Sequence, residues 1–153
     1  MRSLSPTSRL VAVVLVAAAA LVACGANSND TKTATEGLPD TVQALTANPW
    51  VLDLGASSLK FNHFYRITIV FTTKGVVGGD GACNSYSGTY TTDGSDIVIS
   101  HLNRTSRVCS PLATAADGEY LVALQAVRHV ENTNRDRLKL TGNSHTLTYD
   151  AVH

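Results

Sequence analysis

Two cysteines, Cys83 and Cys109, and the residues beside them are where this sequence has most capacity for chemistry. A thiol pair can bridge, stay reduced and buried, or exchange with another dithiol. Exchange is the poorest of these, because there is no Cys-x-x-Cys and neither thiol has a neighbouring Lys or His to stabilise a thiolate. Between the two cysteines, Asn84 and Tyr86 are the candidate binding residues, although an Asn amide serves equally well to bond the backbone of its own turn. The glycine-rich stretch over residues 75–81 resembles a phosphate loop only superficially. It lacks Gly-Lys-Ser/Thr, and Asn84 stands where the dinucleotide fingerprint needs Gly. Its glycines are expected to permit a bulge or sharp bend. His63, His101, His129, His145 and His153 have no metal-ligand spacing, so neither zinc nor any other cofactor is expected. Asp93-Gly94-Ser95-Asp96 has too few ligands for a calcium loop, and no Gly-x-Ser-x-Gly is present. The residues point to no catalytic site.

The third cysteine has a different setting. Arg2 and Arg9 precede or border an unbroken apolar run over residues 10–23. Fourteen helical residues span about 21 Å, against roughly 30 Å for a bilayer core. The run therefore reads as a signal peptide and not as a membrane span. It closes on Leu21-Val22-Ala23-Cys24 and turns polar at Gly25-Ala26-Asn27-Ser28. This pattern resembles a bacterial lipobox, in which small residues enter a peptidase cleft and the cysteine thiol accepts a diacylglyceryl group. Acyl chains of the palmitate kind would then anchor the chain, each buried CH₂ adding ~0.8 kcal/mol. Cys24 is thus the expected lipidation site and first mature residue. The expected location is the extracytoplasmic side of the cell membrane, without a transmembrane helix. That compartment is oxidising and leaves Cys83 and Cys109 as an even remainder. A disulfide between them is the preferred expectation, with two buried free thiols and a redox pair as the alternatives.

The elements that must position these residues follow from periodicity. Residues 24–40 are almost free of large apolar side chains and cannot offset the entropy of ordering, so they are expected to be a flexible tether. A folded domain is expected over residues 41–153. Residues 66–72 and 96–100 alternate as half-buried strands, the second after a turn at Thr92-Asp93-Gly94-Ser95. A second hairpin turns at Thr141-Gly142-Asn143-Ser144 and directs Leu138, Leu140, Leu147 and Tyr149 inward. Tyr86 and Tyr90, four apart, share a strand face expected to pack on a helix. That helix is the one break in the two-residue period. Between Pro111 and His129, Ala116, Tyr120, Leu124 and Val127 recur at helical steps, with Asp117 and Glu119 early and Arg128 late to suit the macrodipole. The expected fold class is α+β, a mostly antiparallel β-sheet curved into an open barrel around one α-helix.

Several phrases occur together in order: Trp50-Val51-Leu52, the glycine-rich approach to Cys83-Asn84 with Tyr86 and Gly88 after it, Thr105-Ser106-Arg107-Val108-Cys109, a helix, and the final strands. In this the chain resembles the META domain, or HslJ-like, family from about Trp50 to Tyr149. It departs from the family at Arg107-Val108, where an apolar pair is usual, and in its short loop over residues 53–59. The resemblance implies a barrel wrapped around a helix, often on bacterial envelope lipoproteins, and for most members no established activity.

Composition narrows the function further. The chain has 12 basic and 12 acidic residues in 153. After Cys24 there are ten basic and twelve acidic residues, a balance with no footprint for nucleic acid and no basic patch for anionic lipid. Arg104, Arg107, Arg128, Arg135 and Arg137 read as a solvated surface. The function expected is a non-catalytic envelope lipoprotein, its domain a binding or scaffold module with a place in the envelope stress response. Its partners are the membrane, through Cys24, and an envelope protein or small apolar ligand. The alternative is a small-ligand or lipid carrier with an apolar cavity between sheet and helix.

Overall fold

The computed structural model describes residues 40–61 and 65–153, and of residues 132–134 the backbone only. The signal segment, Cys24, the tether up to residue 39 and His63 lie outside the described residues.

Short alternating runs become eight strands: β1 (Trp50–Leu52), β2 (Thr68–Phe71), β3 (Val76–Asp80), β4 (Ser85–Asp93), β5 (Asp96–Arg104), β6 (His129–Asn134), β7 (Arg137–Gly142) and β8 (His145–Ala151). All neighbours are antiparallel. β1 pairs with both β2 and β8, so the sheet closes into a barrel. The joints are unequal. β7 and β8 share a register of six pairs from Arg137↔Asp150 to Gly142↔His145, whereas β5 meets β6 at Asp96↔His129 alone. Beyond that point the flank of β5 is covered by the long helix α2 (Pro111–Ala126), which also packs against β8.

The inward set expected of the last hairpin is the inward set observed: Leu138, Leu140, Leu147 and Tyr149 are all fully buried. Each contributes about 2 kcal/mol by area. Ile67, Ile69, Phe71, Val77, Ile97 and Ile99 fill the rest of the wall. The turn between β7 and β8 runs through Asn143 and Ser144, both at positive φ as the right-handed strand twist demands of a tight hairpin. The strand expected at residues 96–100 extends to Arg104, because the β4–β5 register slips between Ser87 and Thr89 and His101 takes φ 54°.

Helix α2 begins where its sequence predicts. Ser110 caps it by accepting the Ala113 N–H at 3.2 Å, and Pro111 occupies the first turn, where no amide partner is needed. Ala113, Ala116, Tyr120, Ala123 and Leu124 face the barrel, the alanines letting the helix approach closely. At its far end the Arg128 guanidinium donates to the carbonyls of Gln125 and Val127. Asp117, expected only to suit the macrodipole, is buried, with 1% of it exposed. A second helix was not expected from the sequence. Residue 40, assigned to the tether, is instead the first residue of α1 (Asp40–Thr46). This helix lays Leu45 over the barrel's end, where the Leu45 carbonyl accepts the Trp50 indole N–H at 2.9 Å.

Candidate functional site

The β3–β4 turn is drawn against the start of α2 by one carboxylate. Gly81 donates its N–H to the Asn84 carbonyl at 2.8 Å, which places the amides of Cys83 and Asn84 towards α2. Asp117 Oδ1 accepts both amides at 3.3 Å, and its Oδ2 accepts Asn84 Nδ2 at 3.0 Å and Arg104 Nη1 at 3.2 Å. A carboxylate this deeply buried requires such partners, because leaving one unpaired costs several kcal/mol. The other end of the Asn84 amide accepts the Thr105 hydroxyl at 2.9 Å and the Arg107 N–H at 2.8 Å. Cys83 and Cys109 are joined in a disulfide across the same corner. Asn84 therefore ties the turn, the β5–α2 loop and the helix together, and both oxygens of Asp117 are taken by donors.

Tyr86 faces inward from the next strand. Its hydroxyl donates to the Thr68 carbonyl at 2.8 Å and lies 2.8 Å from the Tyr120 hydroxyl, which lies 3.2 Å from that of Tyr149. A carbonyl can only accept, so the direction of every hydrogen is determined. Tyr149 donates to Tyr120, Tyr120 to Tyr86, and Tyr86 to Thr68. Burial is the main reason all three phenols are held well above their ordinary range, with mutual repulsion between neighbouring phenolates adding to it. Such hydroxyls stay protonated at physiological pH. The rings of Tyr86 and Tyr120 meet edge to face at 5.6 Å, whereas Tyr90 packs on Phe71 of β2 instead of on the helix.

The other candidates disperse. His101 Nδ1 is 3.1 Å from the Thr89 hydroxyl, His129 pairs with Asp96 at 2.6 Å, and His153 pairs with Asp136 at 3.2 Å. Among the described residues no three His, Cys, Asp or Glu side chains gather as metal ligands would. Arg104 and Arg137 are not the simple solvated surface expected of them, since Arg137 bridges Asp53 and Asp150 while Arg104 binds Asp117. Gly75 turns the chain at φ 75° between β2 and β3 as expected of the glycine-rich stretch, but Gly79 and Gly81 have a different purpose. A Cβ on Gly81 would lie 2.0 Å from Asp117 Oδ1, and one on Gly79 2.1 Å from the Thr68 carbonyl oxygen. They permit close approach more than bending.

Surface depressions are also present among the described residues. A groove of about 360 Å³ runs beside the Asn84 corner, lined by Ser85, Tyr86, Ser87, Asn103, Arg104 and Thr105. A larger cleft of about 700 Å³ lies at the α1 end, with Gln43, Asn48, Trp50, Arg135 and Asp136 in its walls. Sequence reasoning missed this cleft because it missed α1. The available sign was Asp40 opening a short segment with Val42 and Leu45 three apart and Pro49 just beyond it.

The family model of the META domain matches residues 43–152. The chain belongs to the META domain family. This META domain is also similar to a protein from Burkholderia xenovorans solved by NMR, at 25% identity and a TM-score of 0.58, covering 75% of this chain and 88% of that one. A second NMR structure is similar at 23% identity and a TM-score of 0.55, over 72% of this chain and 94% of the other. No curated protein matches the chain. The META fold here is thus an antiparallel barrel with α2 packed against β5 and β8, and with the Cys83–Cys109 bridge and the Asn84–Asp117 knot at one corner.

Proposed function

We propose that this META-domain chain is a cell-envelope lipoprotein, anchored through Cys24, whose barrel is a non-catalytic binding or scaffold module. The observation that carries the non-catalytic part is how the polar groups of the conspicuous corner are used. Asn84, Asp117 and Tyr86 direct their hydrogen bonds at other parts of the fold, which supports a structural role for them. Binding then falls to the surface, and the cleft beside α1 is the place with room for a partner's side chains. A place in the envelope stress response belongs to the same proposal, and transcript levels under envelope stress test it.

The anchor is tested by intact mass spectrometry of the protein taken from bacterial membranes. The expected mass is that of residues 24–153 plus a diacylglyceryl group, with no alkylation until the bridge is reduced. An unlipidated mass would overturn it. The carrier reading is less well supported, because the barrel axis is occupied by Trp50, Tyr86, Tyr120, Tyr149 and the surrounding leucines. Saturable uptake of a fluorescent fatty acid by delipidated protein would restore it.

A further inference from the structure

The even overall charge of the chain is unevenly placed. Because successive strands are antiparallel, the β2–β3, β4–β5 and β6–β7 turns lie at the α1 end of the barrel, and the β1–β2 loop, the β3–β4 turn and the β5–α2 loop lie at the other. The α1 end carries Asp40, Asp93, Asp96 and Asp136 against Lys74 and Arg135. The opposite end carries Lys60, Arg66, Arg104 and Arg107, with Asp53 paired to Arg137, Asp80 exposed and Asp117 buried beneath Arg104. At this basic end the chain displays apolar side chains rigidly. The Arg107 N–H is held by Asn84 and Cys109 is bonded to Cys83, so Val108 between them is pinned on both sides with its side chain wholly in solvent. Leu112, in the first turn of α2, is 71% exposed.

A single exposed valine needs no explanation. One tethered on both sides, four residues before an exposed leucine and at the end that carries Lys60, Arg66, Arg104 and Arg107, has the composition of a bilayer-contact surface, where apolar tips enter the interface and Lys or Arg meet anionic headgroups. We infer that the end of the barrel formed by the β3–β4 turn and the β5–α2 loop docks on an anionic phospholipid surface, with Val108 and Leu112 entering it. The inference rests on the envelope reading only for bringing a bilayer within reach. Fifteen residues lie between Cys24 and Asp40, and such a stretch spans about 50 Å when extended. The nine-residue β4 is roughly 30 Å long, so an anchored barrel can turn its far end to the membrane. Repulsion of the acidic α1 end by the same lipids favours that orientation.

The test uses the full chain in vesicles of phosphatidylcholine, with or without 30% phosphatidylglycerol, carrying Val108→Trp as a reporter. The native Trp50 is buried and supplies a constant background. Emission from V108W is expected to shift to the blue and to be quenched by brominated lipid in the anionic vesicles. The inserted fraction is expected to fall about ten-fold in 0.5 M salt or with Lys60→Glu, Arg66→Glu and Arg107→Glu combined. Val98→Trp, on the barrel wall, is expected to stay in water. Equal quenching of V98W and V108W, insertion indifferent to phosphatidylglycerol, or no quenching of an anchored protein would each overturn the inference. A shift of V108W produced by an added acidic protein and never by vesicles would overturn it in favour of a protein partner. An unlipidated mass together with V108W insertion into added vesicles would sink the anchor and support the docking face.

Discussion

Asp117 stands where a side chain at position 81 would have to be, its Oδ1 only 2.0 Å from the point a Cβ on Gly81 would occupy. Gly81→Ala is therefore expected to push the carboxylate off the amides of Cys83 and Asn84. Overpacking of this kind costs about 2–3 kcal/mol, and it should lower the urea midpoint with little change in m. Gly118 is the control on the same helix, with nothing within 4 Å of its would-be Cβ. There, Gly118→Ala is expected to stabilise the protein by about 0.5–1 kcal/mol through helix propensity alone.

Asp117 itself is the next test. Asp117→Ala leaves two backbone amides, the Asn84 amide and Arg104 facing an empty site, with an expected loss of about 3–5 kcal/mol. Arg104→Ala should cost much less, because its side chain is 44% exposed and water replaces the carboxylate. A double-mutant cycle by chemical denaturation should show the two changes to be non-additive. Additivity would mean that the pair is not coupled.

The disulfide closes a sequence separation of 26 residues. Constraint of the unfolded chain predicts a contribution of roughly 3–4 kcal/mol, so reductant should lower the melting temperature and Cys83→Ser with Cys109→Ser should reproduce the reduced value. The Asn84 bonds to Thr105 and Arg107 still hold the loop, so the reduced protein is expected to melt lower yet keep native near-UV dichroism at 20 °C.

The one-way tyrosine relay predicts unequal effects of removing its hydroxyls. Tyr149 only donates, so Tyr149→Phe leaves Tyr120 bonded to Tyr86 and should cost little. Tyr86→Phe deprives the Thr68 carbonyl of its donor and should cost about 1–2 kcal/mol. The same phenols give the protein an alkaline limit. Their folded pKa values are raised above the unfolded value, so the folded state keeps protons that the unfolded state loses. Stability is intact below the unfolded phenol pKa of about 10 and falls as pH rises beyond it, by up to ~1.4 kcal/mol per pH unit per phenol. Absorbance at 295 nm should show these three phenols ionising only together with unfolding.

Periodicity made the last hairpin and α2 legible, because Leu138, Leu140, Leu147, Tyr149 and Tyr120 each repeat at the interval of the surface they bury. The pairing of Cys83 with Cys109 is the preferred expectation of a thiol count that sets Cys24 aside. Asp117 could not be found that way. It reads as an early helix acid that suits the macrodipole, and its partners come from the β3–β4 turn more than thirty residues earlier and from Arg104 on β5. The glycines at 79 and 81 were visible as a pattern, but what they make room for belongs to β2 and α2. Helix α1 escaped because seven residues carry too little periodicity to be separated from the polar stretch before them. The cations of the far end were averaged away by a composition that has no knowledge of which turns meet.

Pro49 accepts the Val152 N–H at 2.9 Å, so the chain enters and leaves the barrel side by side. A fold with both ends at one point is a portable cassette. It can be spliced into a loop of a host protein with little loss of closure entropy, or reconnected end to end and cut at Asn143-Ser144 without disturbing the core. Such a permuted barrel would carry its old tether on the opposite face, reversing which end of the molecule looks outward while every internal contact stays the same.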